Sequence, residues 1–212
     1  MALVSETNNF IFIHIYKCGG NSVRRMLGTP NIGQPDVNEL SAYEVHGVHA
    51  NIADVKRHFD QKGMEQFYND AFKFTTIRNP FSMLVSLYKY IRNSKIHPYH
   101  DAMMNKNFSM FLHWYVYEAM FIERPYGANK YQFLHQFLEI AGTGQMDYIM
   151  RLEAITEDIK YACMRIGIPP KEMPIINVSK SKKPYRDFYS TENKQFVEEH
   201  FAKDLEQFNY QF

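Results

Sequence analysis

Cysteine is scarce in this chain of 212 residues: Cys18 and Cys163 are the only two, and they stand far apart. A disulfide framework therefore has little support, and a reducing compartment is the simpler expectation. Long hydrophobic runs are missing as well. The longest, residues 10–16, is far too short to span a membrane. It has no basic residues before it and no small-residue cleavage site after it, so no signal peptide is read and a cytoplasmic protein without a membrane partner is expected. Charge of one sign is also lacking, with 24 basic side chains against 23 acidic and a net charge of +1. That balance leaves no global footprint for a sequence-nonspecific nucleic-acid binder, so nucleic acid is not an expected partner and any anion site must be local. Internal repeats, low-complexity tracts and linkers are absent too, which predicts a single domain over residues 1–212. What is present, 45% hydrophobic and 22% charged residues, fits an ordinary globular domain and excludes disorder and collagen. Seventeen Phe and fifteen Tyr promise a core of large side chains.

The first strong element is residues 10–16, Phe-Ile-Phe-Ile-His-Ile-Tyr, apolar on both faces as in a strand buried in a parallel sheet. Lys17-Cys18-Gly19-Gly20-Asn21-Ser22 interrupts it, and Val23, Met26 and Leu27 then recur at helical spacing. Residues 29–39, rich in Pro, Gly and Asn, read as a loop, and Asn51 opens a helix over residues 52–59. A second buried strand is predicted over residues 72–77, followed by Asn79 as cap and Pro80 in the first turn of a helix through Ile91. Residues 96–107 form a polar segment long enough for a substrate lid. Helices are predicted over residues 108–121, 131–140, 153–166 and 191–208, with Lys194 in a capping position of the last. A third strand is predicted over 147–152 and a short one over 175–178, before the basic loop 179–184. Strands alternating with helices give the expected class, an α/β sandwich with a central parallel sheet flanked by helices.

The chemistry begins at the first turn. A strand ending in Lys-x-Gly-Gly-x-Ser and entering a helix gathers backbone N–H groups, a hydroxyl and an ammonium around one point, as phosphate or sulfate requires. A glycine turn in that place also serves close packing, and the motif alone does not decide between the two. Lys17 precedes the glycines, so this is not the Walker A loop of nucleoside triphosphatases. The second feature is Arg78 at a strand end with Ser86 two turns into the next helix, a pair suited to a second phosphate with Arg78 as the bidentate fork. Taken singly, Arg78 reads rather as a strand-end arginine in a surface ion pair and Ser86 as a solvent-facing helix serine; it is the two motifs together that point to an anion.

Together these motifs resemble the sulfotransferases that use 3′-phosphoadenosine 5′-phosphosulfate (PAPS), specifically the carbohydrate sulfotransferase (sulfotransferase family 2-like) superfamily and its small bacterial members. Tyr16 to Ser22 is similar to that family's Pro-Lys-Thr-Gly-Gly-Thr-Ser, and Arg78-Asn79-Pro80 with Ser86-Leu87-Tyr88 to its Arg-Asn/Asp-Pro and Ser-x-Tyr. The likeness continues through residues 147–153, residues 166–169, Asn177-x-Ser179 and the closing Asp204-x-x-x-Phe208-x-Tyr210-x-Phe212. The chain departs from the pattern at Tyr16, Cys18 and Asn21, although an Asn21 amide still donates a hydrogen bond.

The resemblance implies a P-loop-like, three-layer form of this α/β sandwich and transfer of a sulfuryl group from PAPS to a hydroxyl or amine of a carbohydrate or small-molecule acceptor, without a metal. It implies that Lys17 stabilises charge on the leaving phosphate and that Cys18, Gly19, Gly20, Asn21 and Ser22 cradle the 5′-phosphosulfate. Arg78 and Ser86 would hold the 3′-phosphate. Ser179, Lys180 and Lys182 either fold over the phosphates or form a solvated basic face. The acceptor must lose a proton, and among nine histidines His49 best fits the family's register for the base, with His46 as runner-up. His14, inside the buried strand, reads as structural. The aromatic residues of 108–131 line an acceptor groove or fill the core. A P-loop-like nucleotide kinase should show a Walker A lysine and an acidic metal site, and neither is found. A noncatalytic nucleotide-binding protein needs no base, against which Lys17 and His49 together speak.

Overall fold

The computed structural model describes residues 2–27, 41–45, 50–119, 132–138, 145–169 and 183–212. In chain order these form β1 (Ala2–Ser5), β2 (Phe10–Ile13), α1 (Gly20–Met26), β3 (Tyr43–Val45), α2 (Ile52–Gln61), α3 (Glu65–Asp70) and β4 (Phe72–Ile77). There follow α4 (Pro80–Asn93), α5 (His100–Met104), α6 (Phe108–His113), α7 (His135–Leu138), β5 (Tyr148–Arg151), α8 (Ile155–Arg165), α9 (Thr191–His200) and α10 (Ala202–Gln207). The structure divides into two compact units, Met1–Ile77 with Pro125–Ile176 and Arg78–Arg124 with Asn177–Phe212.

The first unit holds the sheet, in the order β3-β1-β2-β4-β5. β2, β4 and β5 pair in parallel, with Phe12 opposite Phe74 and Phe74 opposite Tyr148. β1 pairs antiparallel with both β2 and β3, so it alone runs against the others. The expected α/β sandwich is therefore present, but the sheet expected to be parallel is parallel only in part, because β1 runs against its neighbours. Its antiparallel hairpin was not predicted: four residues are too short to show a period, and only Asn8-Asn9, with Asn9 in left-handed backbone at φ 48°, marks the turn. Alternation sends Phe10, Phe12, Phe72, Phe74 and Met150 to one face, where they pack with Val23 and Met26 of α1 and Ile159, Ala162 and Cys163 of α8. On the other face Lys73 reaches the end of α3, and Tyr68 of α3 lies 6.2 Å from Phe59 of α2. Helices thus cover both faces.

Local signals explain the element ends. Asn51 accepts from the Asp54 N–H at 2.8 Å and caps α2, and Gly167 takes φ +71° after α8. The strand predicted to Tyr16 stops at Ile13, since β2 leaves the sheet there while β4 runs on to Ile77. The strand over 147–152 shortens at both ends: the Asp147 carboxylate accepts from the Lys73 N–H at 2.7 Å, and residues 152–154 wind into a tight turn before α8. The strand predicted over 175–178 and the loop 29–39 lie outside the described residues, as does most of the basic loop 179–184.

The second unit is helical. Asn79 caps α4 by accepting from the Phe81 N–H at 3.0 Å, with Pro80 in the first turn. The segment predicted as a lid over 96–107 is instead anchored: it contains α5, buries Met103, and Tyr88 and Arg92 both donate to the Lys106 carbonyl. The helix predicted over 108–121 changes after His113 into a π-helical turn, with the Ala119 N–H reaching the Trp114 carbonyl at 2.9 Å. Ser190, not Lys194, caps α9. The helix predicted over 191–208 breaks at Phe201, whose ring turns inward against Tyr115 at φ −107°, separating α9 from α10.

Candidate functional site

β2 delivers the chain into the turn that carries Lys17. Lys17 has φ 59°, a left-handed conformation that costs a residue with a side chain, and it is half-buried. Gly19 follows at φ 83° and precedes α1, and the turn closes when the Ser22 N–H donates to the Gly19 carbonyl at 2.9 Å. Both glycines are also packing requirements. A Cβ on Gly19 would stand 2.5 Å from Leu152 Cδ1, and one on Gly20 would overlap the His14 ring. His14 is buried and stacks beside Phe12 with centroids 6.4 Å apart, so it backs the turn from within the first unit. Cys18 is fully buried and Ser22 nearly so, while Asn21 is exposed.

The second unit holds Arg78, the residue after β4. Its Nε donates to Ser82 Oγ at 2.9 Å. The start of α4 is braced by Asn79, whose Nδ2 donates to the Gln211 carbonyl at 2.7 Å, and by Phe81, whose ring lies 4.9 Å from that of Phe212. Along α4 the half-buried Ser82, Ser86 and Lys89 recur at intervals that place them on one face. The Lys89 ammonium lies 4.6 Å from the centroid of Phe188, and the Lys183 ammonium 5.0 Å from the same ring. Burial first, then the like charges of Arg78 and Lys183, push Lys89 below the ordinary lysine value. Sequence reasoning missed Ser82, Lys89 and Lys183. For Ser82 and Lys89 a signal existed, in their helical spacing with Ser86 after Arg78; nothing local tied Lys183 to them.

Several predicted residues, His46, His49, Ser179, Lys180 and Lys182, lie outside the described residues. Among the described residues no group of three or more His, Cys, Asp or Glu side chains is placed to hold a metal ion. No described helix is long and apolar enough to cross a membrane.

The sequence model of the sulfotransferase family matches residues 1–211. The chain belongs to that family. No curated protein matches it. The crystal structure of mouse sulfotransferase SULT7A1 complexed with PAP is similar in fold, with a TM-score of 0.53 at 11% identity over 95% of this chain and 86% of that one. At such identity the likeness concerns the fold alone. The structure shows what Tyr16 does before the first turn: its hydroxyl donates to the Gln132 carbonyl at 2.8 Å, and its ring lies 5.8 Å from Phe137. Tyr16 thereby ties the turn to the segment around α7.

Proposed function

We propose that this sulfotransferase takes PAPS as its donor and sulfates a hydroxyl or amine of a carbohydrate or small-molecule acceptor by in-line displacement. The family match over residues 1–211, which takes in both the Lys17 turn and Arg78, carries this reading. The donor, when bound, supplies the sulfuryl group on a phosphate leaving group. The residues present fit it: a half-buried lysine held in left-handed backbone beside two glycines, and an arginine and a second lysine whose charges both act on Lys89. Lys17 holds the negative charge that develops on the leaving phosphate. The backbone from Cys18 to Ser22 and the Asn21 amide cradle the 5′ end, and Arg78 with Ser86 holds the 3′-phosphate through charge-assisted bonds. His49 takes the acceptor's proton, with His46 as the alternative base. Ser179, Lys180 and Lys182 close over the phosphates. Residues 1–212 work as one domain in the cytoplasm, without a metal and without a nucleic-acid or membrane partner.

Thermal unfolding with adenosine 3′,5′-bisphosphate, the donor's product, tests the reading. A ligand at a hundred times its Kd contributes about 2.7 kcal/mol, a rise in Tm of roughly 5–11 °C for a chain of this size. The wild type should show that rise and Arg78→Ala should lose it. Stabilisation by ATP with magnesium alone would overturn the assignment in favour of a kinase. Given a positive result, His49→Ala should abolish the ascending limb of the pH–rate profile with each acceptor screened, and retention of that limb would exclude His49 as the base.

A further inference from the structure

Within the second unit, Phe212 sits at a junction of three rings. Its centroid lies 4.9 Å from that of Phe81 in the first turn of α4, 5.3 Å from that of Tyr189 and 5.9 Å from that of Tyr185, at interplanar angles of 76°, 78° and 88°. Near-perpendicular rings set a positive edge against a negative face, a favourable arrangement. Two cations add to it, with Arg186 Cζ 5.6 Å and Lys194 Nζ 5.2 Å from the Phe212 centroid. Tyr189 closes the junction by donating its hydroxyl to the Phe81 carbonyl at 2.9 Å. Beside the ring, the Gln211 carbonyl accepts from Asn79 Nδ2 at 2.7 Å, which leaves Asn79 Oδ1 turned to the Phe81 N–H as the cap of α4 requires. Arg78 is the residue before Asn79, and its Nε donates to Ser82 Oγ in the same helix. Both its backbone and its guanidinium therefore depend on where that first turn stands.

We propose that Gln211 and Phe212 are positioning residues for donor binding: they hold the first turn of α4 so that Arg78 presents its fork in the orientation the donor requires, acting through Arg78 and not by contact with the nucleotide. The proposal rests on the donor assignment above. A bidentate pair between guanidinium and phosphate depends on orientation as well as charge. Asn79 and Phe81, the residues through which the hold is exerted, stand one and three positions after Arg78, and each meets one member of the closing pair. Removing the Phe212 ring leaves the charge of Arg78 in the protein but frees the turn that aims it. The ordering of that turn must then be supplied at the binding step, and affinity falls for the ligand that uses the fork.

Isothermal titration of adenosine 3′,5′-bisphosphate and of adenosine 5′-monophosphate tests it, against wild type, Phe212→Ala, Phe212→Leu, Phe212→Tyr, Arg78→Lys and the double variant of Arg78→Lys with Phe212→Ala. Phe212→Ala should raise the Kd for the bisphosphate about tenfold and leave that for the monophosphate unchanged. Phe212→Leu, which keeps apolar volume without a ring, should act in the same direction and carries the same comparison should the alanine variant fail to fold. Phe212→Tyr keeps the ring and should keep most of the affinity. In the Arg78→Lys background, where the fork is already gone, Phe212→Ala should weaken the bisphosphate by about twofold or less. A merely structural phenylalanine would weaken both nucleotides alike, and its cost would multiply with that of Arg78→Lys. If the wild type does not bind the bisphosphate, the donor assignment itself falls and takes this proposal with it. If the wild type binds and the Phe212 variants bind equally well, lose both nucleotides to the same degree, or lose as much in the Arg78→Lys background, the donor assignment stands and the positioning role is refuted.

Discussion

Gly20→Ala is a sharp probe of the turn beneath the proposed 5′ site, because two local rules predict opposite signs. Gly20 opens α1 with φ outside the left-handed region, so the backbone accepts alanine, and helix propensity taken alone favours it by up to about 1 kcal/mol. The surroundings say otherwise. A Cβ there would stand 2.5 Å from His14 Nε2 and 2.8 Å from Cγ, nearer still to Cδ2, and the imidazole is a buried ring rather than a flexible tip. Either the ring leaves its place beside Phe12 or α1 moves off β2, and such overpacking costs about 1–3 kcal/mol. For a chain of this size that lowers Tm by roughly 2–12 °C. Any movement of α1 also shifts Gly19 to Ser22, so the stabilisation by adenosine 3′,5′-bisphosphate should fall with it. His14→Ala removes the obstacle: in the double variant the new methyl enters space the ring has vacated, and the two changes together should cost less than their sum by about 1–3 kcal/mol. Urea unfolding of wild type, both single variants and the double variant measures this coupling. A Gly20→Ala protein as stable as wild type, or costs that add within about 0.5 kcal/mol, would refute the contact.

Two further predictions concern the first unit. Lys73, buried in β4, donates to the carbonyls of Tyr68, Asn69 and Ala71 at 2.9, 3.2 and 2.8 Å, closing the end of α3. Lys73→Met keeps the stem but leaves those acceptors without their donor, and should lower the urea-unfolding free energy by about 2–4 kcal/mol; a change below about 0.5 kcal/mol would show the contacts to be idle. Burial, then the hydrogen bond to Asp158 and that carboxylate's charge, push the Tyr148 phenol from 10.0 up to about 12. The fold thus favours the neutral phenol: its contribution is fully present below pH 10 and is lost as pH rises towards about 12. Stability should therefore fall less steeply across that interval in Tyr148→Phe than in wild type, and parallel curves would contradict the assignment.

The parts legible in the sequence were those governed by neighbours along the chain. The Lys17 turn, the caps at Asn51 and Asn79, Pro80 in the first turn of α4 and Gly167 after α8 all appear where local patterns place them, because capping and left-handed backbone depend on a few adjacent residues. Lengths were less legible. β2 ends at Ile13 although the apolar pattern continues to Tyr16, since a strand lasts only as far as its partners do. The hairpin of β1 escaped notice for the complementary reason, as its four residues gain their place from pairing with β2 and β3. Phe201 carries a helical pattern but breaks the helix to reach Tyr115.

The anion chemistry divides along the same line. The sequence by itself determined the family and the α/β class, and it identified Lys17, the paired glycines and Arg78 as the residues to examine, because residue type and spacing are written into the chain. Only the tertiary structure decided why both glycines are required, since the atoms that exclude a Cβ belong to His14 and Leu152. It alone turned Cys18 inward and gave Tyr16 its partner at Gln132. It also brought Lys183 to the ring that holds Lys89. Contacts of this kind join segments remote in sequence, and their energies depend on distance and burial, quantities that exist only once the chain has folded.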